Sequence, residues 1–547
     1  MTKQIKNQNF IIQGTILAVA SVLVRIIGLV YRVPLTAILG NEGNGIYSAA
    51  YEIYSILLLV SSYSLPLAVS KLVSATLAKG SQKNAHRYFK AALVLAVIVG
   101  VIVALFTFFA ADFLAGELMK SPLSTYSLKV LAPTLFIVAV MGVFRGYFQG
   151  LGSMVPTAIS QIFEQIVNAI VSVVAAKVLF DVGKAAAEGD LSTAYGAAGG
   201  TLGTGFGALA GLITLILIYL MYRRIVKRKI RRDQTQEMIP YRQMYKLLFV
   251  TIAPVILSTA IYNVSNVLDQ GVFNNLMNLH GFSSKQYNAL WGIFSGKYRV
   301  LTNVPIAVAS AVASSAIPSI TVARVSGERT AVRKKIHEAT KFTMVIAFPC
   351  AVGLSVLAGP ILNLLWGGTD NAMATVLLQY GSISVVLYSL STLSNGILQG
   401  LNKMRIPVTN AFFSLIAHLA VLVVCLQVLD LGIHSVVIAN LFFAAMMCVL
   451  NAAAIRKHSN YHQEVTRTFV LPLLASVIMG AAAYLVHLGC ALVIGTKAAT
   501  LVAIVVAVVV YFVVLIKIGG LTRRELRGFP MGSRLTRVAE KLHLLSK

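Results

Sequence analysis

The chain has 547 residues, of which 57% are hydrophobic and only 12% charged, with a mean hydropathy of +0.81. Soluble domains are near a quarter charged, so this composition excludes one and defines an integral membrane protein. The formal net charge of +28 would suit nucleic acid, but the cations cluster in short loops between apolar runs, as membrane topology requires.

The apolar runs are ~20 residues or more, not ten-residue alternations, so they read as spanning helices rather than barrel strands. Fourteen are expected, near 10–33, 45–70, 89–111, 123–148, 157–180, 197–222, 247–274, 287–322, 338–364, 373–400, 406–429, 433–455, 468–494 and 497–518. With the N-terminus inside, the inner loops and tails hold 36 of the 46 Lys and Arg. The other ten are Arg25, Arg32, Lys120, Lys129, Lys177, Lys184, Lys285, Lys297, Arg299 and Lys497. That asymmetry places both termini in the cytoplasm.

In the first span, Arg25 and Arg32 are the only charged residues between Phe10 and Leu39. A cation at bilayer depth costs at least ~2.5–3.5 kcal/mol, so such residues face a protein cavity more often than lipid. Seven apart, they share a helix face ~10.5 Å from each other. A guanidinium fork suits phosphate, although Arg32 also lies near enough to the outer interface to snorkel to water. Span 2 holds Glu52, a partner for either arginine or a substrate or ion ligand, and Pro66, a hinge candidate. Arg145 ends span 4, where topology accounts for it. In span 5, Glu164 with Gln161, Gln165 and Asn168 forms a polar face suited to an inner vestibule.

The inner loop after span 6 reads Arg223-Arg224-Ile-Val-Lys227-Arg228-Lys229-Ile-Arg231-Arg232. It fits topology and contact with anionic lipid better than nucleic acid. In span 8, Lys297 and Arg299 are two apart, so a regular helix points them ~200° apart and only one faces a cavity. Arg299 is favoured there for its phosphate geometry. Pro305, further along, is the second hinge candidate. Spans 13 and 14 precede a basic tail in which Leu535, Val538, Ala539, Leu542 and Leu545 form one stripe. That stripe reads either as an amphipathic surface helix or as a solvated tail.

The chain repeats itself. Arg145-Gly-Tyr-Phe-Gln149-Gly150-Leu-Gly-Ser-Met-Val-Pro156 recurs as Asn395-Gly-Ile-Leu-Gln399-Gly400-Leu-Asn-Lys-Met-Arg-Ile-Pro407, and Pro66-Leu-Ala-Val-Ser70 as Pro305-Ile-Ala-Val-Ala309. Spans 1–6 therefore match spans 7–12 in the same orientation. The fold expected is all-α: two six-helix lobes related by a pseudo-two-fold along the membrane normal, plus two C-terminal helices. The expected divisions are 1–232, 233–460, 461–520 and the tail 521–547. The four cysteines lie in apolar spans without a CxxC and read as small buried hydrophobes. The first apolar run continues past Arg25 with no cleavage site, so no signal peptide is expected. No nucleotide loop, HExxH or catalytic constellation is present, so neither enzymatic activity nor a cofactor or metal is expected.

With Arg25-Ile-Ile-Gly28-Leu-Val-Tyr-Arg32, Pro34-Leu and Gly40-Asn-Glu-Gly43-Asn-Gly45-Ile-Tyr47, the chain resembles the multidrug/oligosaccharidyl-lipid/polysaccharide exporter superfamily. Within it, the chain is similar to the polysaccharide-transporter branch of Gram-positive bacteria that holds sporulation-stage-V-B-like and MurJ-like lipid II flippases. The resemblance implies a V-shaped pair of lobes, a cationic cavity, and a groove of spans 13–14 for a lipid tail. It also implies export of an undecaprenyl-pyrophosphate-linked sugar, for peptidoglycan, spore cortex or capsule, across a bacterial plasma membrane. Arg25 matches the family's first-span arginine. Where MurJ-like members carry a second arginine followed by an acid, this chain has Tyr31 and Arg32. Their span-8 arginine falls at Val300, beside Arg299.

The expectation is a flippase working by alternating access, with a lipid-linked oligosaccharide as substrate and anionic membrane lipids as neighbours. Two negative charges leaving an inside-negative membrane across 100 mV contribute ~4–5 kcal/mol, so no ATP is needed. Two readings stand beside it. A Na⁺- or H⁺-coupled drug or metabolite exporter would use Glu52 or Glu164 for its ion. A scaffold would recruit cell-wall synthesis enzymes through the basic loops and tail.

Overall fold

A computed structural model describes residues 2–186, 191–235, 237–523, 525, 536, 537 and 540. The apolar stripe expected at Leu535, Val538, Ala539, Leu542 and Leu545 lies outside them. Among the described residues every regular element is a helix. The chain divides into two compact units, Met1–Gly296 and Lys297–Lys547. The first contains helices α1 (Thr2–Leu58), α2 (Leu65–Ala78), α3 (Gln82–Phe109), α4 (Ser124–Gly150), α5 (Val155–Ala185), α6 (Leu191–Arg231), α7 (Tyr241–Leu279) and α8 (Ser284–Ile293). The second contains α9 (Arg299–Val325), α10 (Arg329–Val356), α11 (Ala358–Trp366), α12 (Ala372–Gly381), α13 (Ser384–Gly400), α14 (Arg405–Gln427), α15 (His434–Ser459), α16 (Leu471–Ile494) and α17 (Thr496–Lys517).

The fourteen segments expected from sequence all fall on helices. Among the described residues, ten helices are long and apolar enough to cross a membrane, or eleven if α12 and α13, bent by 49°, form one broken span. The chain is thus a multi-pass membrane protein. The first two expected segments share α1, which breaks direction at Gly40. Gly40 has φ 66°, a left-handed conformation open to glycine and strained for a side chain.

Lipid supplies no hydrophobic force between helices, so they pair through close packing at small residues. Along α6, Gly199, Gly203, Gly207 and Gly211 recur every fourth residue and lie against Ala175, Ser172, Asn168 and Glu164 of α5. A methyl added at Gly203 would stand 2.0 Å from Ser172 Oγ. α4 meets α2 in the same way, through Gly146 against Pro66 and Gly150 against Val73. In the second unit α13 meets α9 through Gly396 against Ala313 and Gly400 against Ile317 and Ile320.

These packed glycines explain the repeated Gln-Gly-Leu sequence. Its glycine packs against an earlier helix of the same unit, and the residue two places later caps the turn. Gly152 (φ 83°) and Asn402 (φ 54°) are both left-handed. Gly152 N–H donates to Gln149 O at 2.9 Å and Ser153 N–H to Phe148 O at 3.0 Å. Asn402 N–H donates to Gln399 O at 2.8 Å and Lys403 N–H to Leu398 O at 2.9 Å. Both are Schellman endings, and glycine and asparagine are the residues that tolerate the required conformation.

Behind these crossings the first unit buries Val69, Ala92, Leu95, Val143, Tyr147 and Leu248. The second buries Ala313, Ile320, Ile336, Leu393 and Leu398, with a separate cluster of Ala475, Met479, Ala503 and Tyr511 where α16 packs on α17.

Candidate functional site

Positions 25, 28 and 32 are spaced by three and four residues, so they lie on one face of α1. Gly28 is where α5 comes close: a Cβ there would sit 3.3 Å from Gln165 Nε2. The face carrying Arg25 and Arg32 is therefore turned toward Gln165, on the α1 side of a polar face of α5 whose Glu164, Asn168 and Ser172 also back onto the α6 glycines. That face repeats the helical spacing, with Gln161, Glu164, Gln165, Asn168 and Ser172 at i, i+3, i+4, i+7 and i+11. All five lie inside the first unit.

Arg25 is exposed and Arg32 half-buried. The Arg32 guanidinium carbon lies 4.7 Å from the Tyr47 ring centroid. A cation–π contact of this kind contributes ~0.5–2 kcal/mol. Tyr31, Tyr47, Tyr51 and Glu52 are the ionisable side chains that surround Arg32. Glu52 itself is 6% exposed. Beyond Gly40, Tyr47, Tyr51 and Tyr54 stand at i, i+4 and i+7. The Tyr47 and Tyr51 rings stack with centroids 5.8 Å apart, and Tyr51 and Tyr54 are 5.7 Å apart. Glu164 is close enough to act electrostatically on Tyr51 and Tyr54, which joins this tyrosine ladder to the α5 face.

Glu164 accepts a hydrogen bond from Arg145 Nη2 at 2.6 Å, while Arg145 Nε donates to Ser160 Oγ at 3.1 Å. The arginine read from sequence as a topology signal thus holds the vestibule carboxylate. Asn168 Oδ1 accepts from Ser172 Oγ at 2.9 Å. Gln161 Oε1 is buried with no hydrogen-bond partner among the described residues. Arg145→Ala is expected to lower stability by about 1–3 kcal/mol, because it strands a partly buried carboxylate. Adding Glu164→Gln should restore most of the loss, as a thermal-unfolding double-mutant cycle would measure.

Lys297 and Arg299 belong to the second unit and have separate surroundings. Lys297 is 1% exposed, and its ammonium donates to Thr369 Oγ1 (3.0 Å), Asp370 O (3.0 Å) and Asn371 Oδ1 (2.9 Å). An ammonium has three protons, so this one is fully used in holding the turn between α11 and α12. Arg299 is half-buried at the first residue of α9. A π-helical turn, Phe294–Tyr298, precedes it. Another, Leu59–Tyr63, precedes Pro66. Each hinge-candidate proline therefore follows a π turn, a feature that recurs at functional sites. Pro66 packs against Gly142 and Gly146, and Pro305 is buried.

Sequence reading passed over the tyrosine ladder, although its i, i+4, i+7 spacing was there to find. It also missed a crossing of α1 with α8. An added Cβ at Gly45 would lie 1.9 Å from Asn288 O, and one at Gly292 would lie 1.7 Å from Asn41 O. Around this close backbone approach Trp291 Nε1 donates to Ser48 Oγ at 3.1 Å and Asn288 Nδ2 to Ser121 Oγ at 3.0 Å. Gln270 Nε2 donates to Gly45 O at 3.3 Å.

A membrane-embedded face of guanidinium, phenol and amide groups can bind an oxygen-rich anion, and this is a transporter's equipment. The profile of the polysaccharide biosynthesis protein family matches residues 11–324, and the chain belongs to that family. The profile described as MatE matches residues 300–424. Both fall within the exporter superfamily to which the sequence motifs pointed. The chain is 26% identical over 495 residues to the lipid II flippase MurJ of Bacillus subtilis (strain 168), covering 87% of this chain and 88% of that one. To stage V sporulation protein B of the same organism it is 24% identical over 538 residues, covering 96% and 99%. Its fold matches that of the lipid II flippase MurJ in an inward closed conformation. There the TM-score is 0.67 at 14% identity, over 91% of this chain and 97% of that one.

Proposed function

We propose that the protein is a flippase that carries a polyprenyl-pyrophosphate-linked oligosaccharide from the cytoplasmic to the outer leaflet of a bacterial plasma membrane by alternating access. The observation that carries the reading is the α1 face of Arg25, Gly28 and Arg32 turned onto Gln165 at the edge of the polar face of α5. The arginines would bind the pyrophosphate through charge-assisted, bidentate bonds. Tyr51 and Gln161 would meet sugar hydroxyls. In the second unit, Arg299 would be a phosphate ligand in its own right. Glu52 and Lys297 would keep these cations and turns in place. Pro66 and Pro305 would serve as hinges beside their π turns. The relatives named lipid II flippase and sporulation protein support the substrate class.

The matching MatE profile favours one further reading, a Na⁺- or H⁺-coupled exporter of a cationic compound. The carboxylates weigh against it. Glu164 is bonded to Arg145, and Glu52 lies in the field of Arg32, so neither stands ready for a cation. Native mass spectrometry of the purified protein with lipid II and with a cationic dye separates the two. Retention of lipid II is expected; retention of the dye alone would transfer the assignment to the coupled exporter.

A further inference from the structure

At the end of the second unit where α9 turns into α10 and α15 ends, Arg324, Arg329, Lys457 and His458 line a cavity of about 410 Å³ with Gly327 and Asn460. Among the described residues no carboxylate lines it. Arg324, Lys457 and nearby Lys403 all direct positive charge at the His458 ring. Arg324, Arg329 and Lys457 are exposed around it, so solvent screens their repulsion and an anion that enters the hollow is attracted by all three.

The internal duplication supplies a comparison within the chain. The α2–α3 turn of the first unit corresponds to the α9–α10 turn of the second, and the two are built alike. Gly80 (φ 83°) and Gly327 (φ 75°) are the left-handed residues. Gly80 N–H donates to Leu77 O and Ser81 N–H to Thr76 O; Gly327 N–H donates to Arg324 O and Glu328 N–H to Ala323 O. In the first unit, the stretch of chain after α6 brings Asp233 onto the start of α3. Its Oδ2 accepts from Lys83 N–H at 2.6 Å. The Thr235 hydroxyl, followed by the backbone N–H groups of Lys83, Thr235 and Gln82, overcomes partial desolvation and holds this carboxyl at about 2. An anion at a helix N-terminus answers its unpaired N–H groups and its dipole.

In the second unit the corresponding chain after α15 reads Asn460-Tyr461-His462-Gln463. It has no acid until Glu464, whose carboxylate is taken by Arg467 N–H at 2.7 Å and Thr468 Oγ1 at 2.9 Å. The residue that caps α10, Glu328, makes no side-chain cap bond. Where the chain after α6 brings a carboxylate to the first turn, the end of α15 brings a lysine and a histidine to the second, and Glu328 on that turn neither caps α10 nor lines the cavity.

We propose that this cavity binds a phosphate-class anion, a phosphomonoester or pyrophosphate group, that takes the place Asp233 fills in the first unit. Arg324 and Arg329 would supply the forks and Lys457 a point charge. The group could reach the site on a soluble molecule or on a lipid headgroup, and the chemistry of recognition is the same. The site is separate from the α1–α5 face and stands whether or not the protein moves lipid-linked sugars.

The test uses the full-length protein in nanodiscs. In neutral phosphatidylcholine discs, inorganic pyrophosphate is titrated calorimetrically. In discs containing phosphatidylglycerol, hydrogen exchange of residues 324–332 and 456–460 is compared with that in neutral discs. Binding in the first arm assigns a soluble ligand; protection only in the second assigns a lipid headgroup. In either case Arg324→Gln with Arg329→Gln should weaken the effect about tenfold or more. Asn460→Asp installs the carboxylate at a left-handed position that aspartate tolerates. It should abolish anion binding while raising the melting temperature of the anion-free protein. Neither binding nor protection in wild type, or responses unchanged in both variants, would overturn the proposal.

Discussion

Arg25→Ala is expected to reduce transport of a pyrophosphate-linked lipid about 10- to 100-fold while leaving the melting temperature within about a degree of wild type. The rate effect follows from losing one charge-assisted, bidentate contact, worth ~1.5–3 kcal/mol. The small stability effect follows from exposure: Arg25 is exposed on α1, where a side-chain contact contributes little. Arg32→Ala should differ. It removes the stack on Tyr47 at 4.7 Å and a cation whose field reaches buried Glu52. Transport and stability should therefore fall together, the latter by about 1–3 kcal/mol. Arg25→Lys keeps the charge without the fork and should recover only part of the rate. Paired flux and thermal-unfolding measurements on these variants check the contrast. Equal stability losses at both positions would mean that Arg25 is also a packing residue.

Gly45→Ala should cut transport at least tenfold without unfolding the protein. The new methyl would stand 1.9 Å from Asn288 O, a backbone atom, so α1 and α8 must part. Transport by alternating access requires each closed contact to open and re-form, and an obstructed crossing removes one state from the cycle. The chain contains its own reporter. Of the two tryptophans, Trp291 is 0% exposed at this crossing and bonded to Ser48, while Trp366 is in the second unit. In a Trp366→Phe background, acrylamide should quench Trp291 more strongly after Gly45→Ala, with helical circular dichroism unchanged. Unaltered quenching and transport would show that the crossing is not a moving part.

Much of this was legible in the sequence because membrane insertion imposes simple rules. Long apolar runs give helices, and the doubled Gln-Gly-Leu segment marked equivalent helix ends, which the paired Schellman turns at Gly152 and Asn402 explain in atomic terms. The stripe of Arg25 and Arg32 and the polar stripe of α5 were both visible as helical periodicities, but their mutual orientation was not. That depends on Gly28 and on the glycines of α6, whose meaning appears only when a neighbouring backbone is in place.

Lys297 illustrates a different limit. Its charge made it a ligand candidate, yet three acceptors from a turn some seventy residues away use every proton. Sequence spacing carries no information about such distant partners. The same holds for Arg145, whose carboxylate partner Glu164 belongs to the next helix.

Outward movement of a polyprenyl-pyrophosphate sugar can be read by reconstitution. Purified protein is placed in liposomes with fluorescent lipid II in the inner leaflet and an inside-negative potential, and a membrane-impermeant quencher outside reads its arrival. Label is expected to appear in the outer leaflet, faster when the potential is applied, and to stay inside with Arg25→Ala. Label that stays inside with wild-type protein, while the same vesicles exchange a cationic dye for Na⁺ or H⁺, would contradict the flippase assignment.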